Sequence, residues 1–139
     1  MQVQPYLFFD GKCEEALNFY KAALDAEVTT LMRYKDSPEP AQPGMLPPGS
    51  ENKVMHSAFR IGDATLMASD GHCQGNPNFQ GMSLSLTVAD AAEAERVFAA
   101  LAAGGQVRMP LTKTFFSSRF GMLADRFGVG WMIIVAHQQ

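Results

Sequence analysis

Apolar and polar positions along the chain change their period from two to about 3.6 and back, and each change marks an element. Residues 3–9, Val-Gln-Pro-Tyr-Leu-Phe-Phe, form a short apolar run rich in aromatics that suits a strand. After Asp10-Gly11, residues 13–24 set Ala16, Leu17, Tyr20, Ala23 and Leu24 on one stripe and Glu14, Glu15 and Lys21 opposite, which predicts an amphipathic helix. Residues 28–34 read as a second strand, ended by Asp36-Ser37-Pro38. Residues 36–51 hold five of the eight prolines, which supply neither ladder donors nor helix interior. They form a long surface loop, either a binding element or an excursion without function.

Residues 54–61 and 64–69 flank Gly62-Asp63 and predict a β-hairpin. Pairing Ile61 with Ala64 sets Arg60 against Thr65, Ala58 against Met67 and His56 against Ser69, all on one side of the sheet. Glycines, Pro77 and two asparagines make residues 71–81 a loop between two halves. In the second half, residues 82–88 alternate, with Ser83, Ser85 and Thr87 on one face. Asp90 and Glu93 stand at capping-box spacing before the stripe Ala94, Val97, Phe98, Leu101, and Gly104-Gly105 stops that helix. Strands are expected at 106–109, 119–124 and 131–136. Each half then runs strand, helix, strand, strand, strand, with Glu15-Ala16 and Glu93-Ala94 in matching places. A duplicated βαβββ unit, about 1–70 and 80–139 within one domain, is the economical reading, and a ferredoxin-like domain is its rival.

Composition narrows the function. The 139 residues are 47% apolar and 18% charged, enough for a packed core. A net charge of -3 with scattered basic residues gives no basic stripe, so neither nucleic acid nor an anionic membrane is an expected partner. No apolar stretch reaches the ~20 residues of a membrane span, and the start lacks signal-peptide character, so a cytoplasmic protein is expected. Cys13 and Cys73 lie in no metal or redox spacing and read as free thiols. Asp70, His72 and Cys73 cluster in a glycine-flanked turn, where turn-forming is the plainer role and metal binding the sharper one.

The stretches Pro5-Tyr6-Leu7-Phe8-Phe9-Asp10-Gly11, Met55-His56-Ser57-Ala58, Leu66-Met67-Ala68-Ser69-Asp70 and Leu101-Ala102-Ala103-Gly104-Gly105-Gln106-Val107 carry a family likeness. So does Phe120-Gly121-Met122, running on to Asp125, Phe127-Gly128-Val129 and Trp131. Together they resemble the PhnB-like branch of the vicinal oxygen chelate superfamily, which includes glyoxalase I, extradiol dioxygenases and fosfomycin- and bleomycin-resistance proteins. Two departures are Phe116-Ser117, where the family often has Trp-Gly, and Asp125-Arg126-Phe127-Gly128, where the superfamily often has Asp-Pro-x-Gly. The resemblance implies an α+β fold: an incompletely closed cup of mixed sheet with the helices outside, a small-molecule ligand inside, and commonly a homodimer. Metal-using relatives take ligands from the first and fourth strands of each unit. The matching positions are Pro5, Met67, Ser83 and Met132, none of which suits a catalytic divalent ion, so no metal and no cofactor are expected.

Against that frame His56 is the candidate catalytic residue, as a base or as a hydrogen-bond donor on the Met67 face, unless it is a core histidine satisfied by Ser69. Met67, Ser69, Ser83, Trp131 and Met132 are candidate ligand contacts, with Arg119 reaching an anionic group at the rim. Trp131, Tyr6, Phe8, Phe115 and Phe116 are aromatics that stack on a planar ligand or fill the core. Members of this branch carry a demethylubiquinone methyltransferase label. Adenosylmethionine usually sits on a glycine-rich turn between strand and helix; Gly128-Val129-Gly130 leads into a strand instead, so that chemistry is not expected here.

Overall fold

The computed structural model describes residues 1–38, 46–71, 73 and 76–136. It has an α+β fold of two βαβββ units, residues 1–77 and 78–139. In the first unit β1 (Tyr6–Phe8) and α1 (Cys13–Leu24) are followed by β2 (Glu27–Arg33), β3 (Val54–Ile61) and β4 (Ala64–Ser69). The second unit repeats the order with β5 (Leu84–Val88), α2 (Ala91–Ala102), β6 (Gln106–Thr112), β7 (Phe120–Ala124) and β8 (Gly130–Val135). The four-stranded sheets run β1-β4-β3-β2 and β5-β8-β7-β6, each with one parallel pair between its first and last strand. The ferredoxin-like alternative is thereby excluded, and the two 12-residue helices start at matching places in the repeat.

The hairpin takes the register expected of it, with Ile61 opposite Ala64, Arg60 opposite Thr65 and Ala58 opposite Met67. Gly62 turns with φ 57°, a conformation that costs glycine nothing. Several ends differ from the sequence reading. β1 is shorter than 3–9, and β2 begins at Glu27 and gives way to a 3₁₀ turn at Tyr34–Asp36. β6 extends beyond 106–109 through Pro110, which has no N–H to donate and is tolerated because β6 lies at the sheet edge. In the stretch 36–51 a second 3₁₀ turn, Ser50–Asn52, precedes β3, and positions 39–45 lie outside the described residues.

Alternation along the strands divides each sheet into a core face and an open one. In the first unit Leu7, Phe59, Leu66 and Ala68 are buried together with Ala16, Leu17 and Tyr20 of α1, and Tyr20 stacks on Phe59 at 6.1 Å. Each large side chain so buried is worth roughly 1.5 to 3 kcal/mol. In the second unit Leu123, Trp131, Ile133 and Val135 join Ala94, Val97, Phe98 and Leu101 of α2 in the core. Gly121 is needed there, since a Cβ would lie 2.7 Å from the Phe98 ring.

Two buried carboxylates tie the units' loops. Asp70, 1% exposed, accepts from the backbone N–H groups of Gly11 (3.0 Å), Cys13 (2.7 Å) and Val54 (2.7 Å). It thus supplies α1 with the anionic N-terminal partner that Lys12, at the N-cap, does not. Asp125 accepts from the N–H groups of Phe127 and Val129 and from Trp131 Nε1 at 3.0 Å. Asp90 caps α2 by accepting from Glu93 N–H, as its spacing predicts.

Candidate functional site: an aromatic face on the first sheet

The open face of the first sheet is assembled by register. Tyr6 lies beside Met67 and Phe8 beside Ser69 across the parallel β1–β4 pair. Ala58 stands opposite Met67 across β3–β4, and Met32 opposite His56 across β2–β3. This sets Tyr6, Phe8, Met67, His56 and Met32 on the side away from Leu7, Phe59 and Ala68. Tyr6, His56, Met67 and Met32 are half-buried, and Phe8 is 57% exposed. Tyr6 Oη lies 3.1 Å from His56 Nδ1, with ring centroids 5.7 Å apart. Phe8 continues the strip, its ring 4.9 Å from that of Tyr6.

Each expected site residue now has a place. His56 and Met67 share one open face. Ser69 belongs to the same side by register but is buried, its Oγ accepting from Gly71 N–H at 3.2 Å. The hydroxyl that satisfies His56 is therefore that of Tyr6, not of Ser69. Tyr6, not Pro5, is also the residue in register with Met67; Pro5 contributes only its carbonyl, which accepts from Met67 N–H. Met132 pairs with Ser85 and Met122 on the open face of the second sheet, with exposed Ser83 just before β5.

Of the two roles expected of Trp131, ligand contact and core, the structure shows the core. Trp131 is 2% exposed, in register with Leu84 and Leu123, and its indole N–H is held by Asp125. It fills the core because a strand of period two presents Trp131 and Met132 to opposite faces. Arg119 is tied by its Nε, 3.7 Å from Glu95 of α2, and donates from Nη1 to Ser118 O, so it is an edge charge paired with its own unit's helix. Phe115 is 97% exposed and stands edge-on to Phe116 in the loop before β7, beside a hollow of about 420 Å³ lined by Asp90, Lys113 and Ser117. Met32 was absent from the sequence reading, since only the β2–β3 register, shifted by two irregularities, brings it to His56.

The turn after β4 is structural. Both Asp70 oxygens are engaged by backbone amides, and His72 lies outside the described residues. Both cysteines are free. Burial pushes the Cys13 thiol up to about 12, and burial also raises the thiol of Cys73, so neither supplies a thiolate at neutral pH. The superfamily's divalent metal does not fit this donor set. Thioethers, a phenol, serine hydroxyls and one imidazole, that of His56, occupy the open faces, and no group of three or more His, Cys, Asp or Glu is gathered among the described residues.

Two βαβββ units with parallel first and last strands define a vicinal oxygen chelate protein, and the fosfomycin resistance protein FosX of Mesorhizobium loti shares the fold, with 12% identity and a TM-score of 0.60 over 96% of this chain and 90% of that one. Within it the chain belongs to the PhnB-like family whose model, described as 3-demethylubiquinone-9 3-methyltransferase, matches residues 1–134. It is 34% identical to protein YjdN of Escherichia coli K12, over all of this chain and 98% of that one. It is also similar to the crystal structure of PA1353 from Pseudomonas aeruginosa, with 42% identity, a TM-score of 0.85 and 99% of each chain covered. The PhnB protein of Bacillus cereus matches at 33% identity and TM-score 0.79, over 98% of this chain and 100% of that one.

Proposed function

We propose that this protein binds a small organic molecule on the open face of its first sheet, against Phe8, Tyr6, His56 and Met67, without a divalent metal. The observation that carries the reading is the Tyr6–His56 hydrogen bond, set among half-exposed aromatic and thioether side chains. Small-molecule sites combine such apolar lining with one or two polar groups that fix orientation, and methionine adapts to varied ligand shapes. The metal-dependent chemistry of the superfamily is not proposed, because the described residues gather no group of three or more His, Cys, Asp or Glu to hold the ion. Nor is adenosylmethionine chemistry. Both sheets are mixed, and the Gly128–Gly130 segment enters β8 rather than a helix.

The test is His56→Gln. A half-buried residue on an open face supports few packing contacts, so denaturant melts should show the fold nearly unchanged while compounds found by a small-molecule screen lose affinity. A stability loss of about 1 to 3 kcal/mol with binding unchanged would make His56 a structural residue instead. A cytoplasmic homodimer is part of the same proposal. The free thiols support a reducing compartment, and exposed Met82, Val107 and Phe115 supply apolar surface for self-association. Sedimentation showing only monomer at micromolar concentration would contradict the dimer.

A further inference from the structure

We infer that the Tyr6–His56 pair holds the imidazole as an outward hydrogen-bond donor, and that the ligand is a neutral aromatic compound bearing a carbonyl acceptor. The inference rests on the first sheet's open face being the ligand face, as proposed above. A phenol is a strong donor and a poor acceptor, whereas an unprotonated imidazole nitrogen is a strong acceptor. At 3.1 Å the pair is therefore Tyr6 O–H donating to His56 Nδ1, and the ring proton sits on Nε2. Nε2 has no hydrogen-bond partner among the described residues and is not a buried orphan, so its N–H is offered to solvent or ligand. With its lone pair at Nδ1 already engaged, the ring at Nε2 gives a hydrogen bond rather than taking a proton. His56 thus acts as an anchor for an acceptor and not as a base.

The charge pattern sets the rest. Met32 stands opposite His56, and Tyr6 and Ala58 flank Met67 on the same face, none of them charged. The charges further along this face, Glu27 and Arg60, stand opposite each other across β2–β3 and offset one another. Among the described residues in register on this face, no unpaired cation awaits an anionic ligand and no unpaired anion a cationic one. The rings of Phe8 and Tyr6, with the Met67 thioether, suit a flat aromatic body.

Two measurements test this. In protein labelled with ¹⁵N-histidine at about pH 9, where imidazoles in general are neutral, two-bond ¹⁵N–¹H correlations read the tautomer. His56→Gln identifies the signals among the three histidines. The Nε2–H form is expected in the wild type and a mixture in Tyr6→Phe; an Nδ1–H wild type overturns the inference. Acetophenone and ethylbenzene, which share a carbon skeleton and differ at the carbonyl, are then titrated against the Met67 methyl resonance. The acetophenone-to-ethylbenzene affinity ratio should be roughly three- to tenfold higher in the wild type than in His56→Phe. Equal ratios overturn the carbonyl assignment while leaving the ligand face standing. No Met67 shift with either probe, at millimolar concentration, overturns the ligand face and the ligand class with it.

Discussion

Replacing Asp70 by Asn probes what holds the first sheet and its open face in place. The carboxylate is buried, and one oxygen serves Gly11 and Cys13 while the other serves Val54. An asparagine of the same shape keeps one oxygen at best. If it faces Gly11 and Cys13, its NH₂ confronts the Val54 N–H, and a buried donor left unpaired costs about 1 to 3 kcal/mol. The two remaining bonds lose their charge assistance, and the α1 N-terminus loses an anion worth about 0.3 to 1 kcal/mol. Relief from burying a charge offsets part of this, leaving an expected loss of about 2 to 4 kcal/mol. That is a large share of the ~5 to 15 kcal/mol that holds a domain folded. Urea melts followed by far-UV circular dichroism should show a lower midpoint with an unchanged slope. The Val54 amide, two residues before His56 on β3, should exchange with solvent faster than in the wild type. A loss below about 0.5 kcal/mol would refute the reasoning, since three buried bonds to one carboxylate cannot be removed so cheaply.

Asp125→Asn should cost about 1 to 3 kcal/mol and shift the emission of Trp131, the single tryptophan, because the indole N–H then meets an amide donor or solvent; unchanged emission and stability would contradict the assigned bond. Cys13 gives a pH dependence of known sign. Its thiol ordinarily ionises near 9.0 and in the folded chain only near 12, so the folded state holds the extra proton between those values and stability falls as pH rises through that window, by about 1.4 kcal/mol per pH unit. The stability advantage of the wild type over Cys13→Ala should accordingly shrink above about pH 9, and a constant difference up to pH ~10.5 would count against it. Added Zn, Ni, Mn or Fe should leave the thermal midpoint unmoved, since a metal bound to the native state raises it by mass action; one equivalent per chain by elemental analysis would overturn the metal-independent reading.

The fold was legible where the signal is local. The Gly62-Asp63 turn and the alternation on either side of it determine the β3–β4 register residue by residue, and Asp90 with Glu93 announces α2 before its apolar stripe. What was not legible depends on distant partners. Nothing near Lys12 shows that α1 is capped by a carboxylate 57 residues further along, so Asp70 read as one member of a cluster with His72 and Cys73. The phase of β8 was undecided in the same way. Trp131 and Met132 are both large and apolar, and only pairing with Leu84, Leu123 and Ser85 determines which of them faces the core. The sequence offers Ser69 as a hydroxyl for His56 because it is adjacent across the hairpin, whereas the actual partner, Tyr6, arrives on β1, on the far side of β4.

The ligand proposed for the Phe8–Tyr6–His56–Met67 face is a small organic molecule, and its binding there can be observed directly. Its most direct measurement is a fragment screen on ¹³C-methyl-methionine-labelled protein, in which each bound compound is located by the methyl groups it shifts. The hits are expected to move Met67 and Met32 and to be lost in His56→Gln and Phe8→Ala variants that remain folded. Hits that leave Met67 and Met32 unmoved, or that bind those variants as well as the wild type, would contradict the proposal.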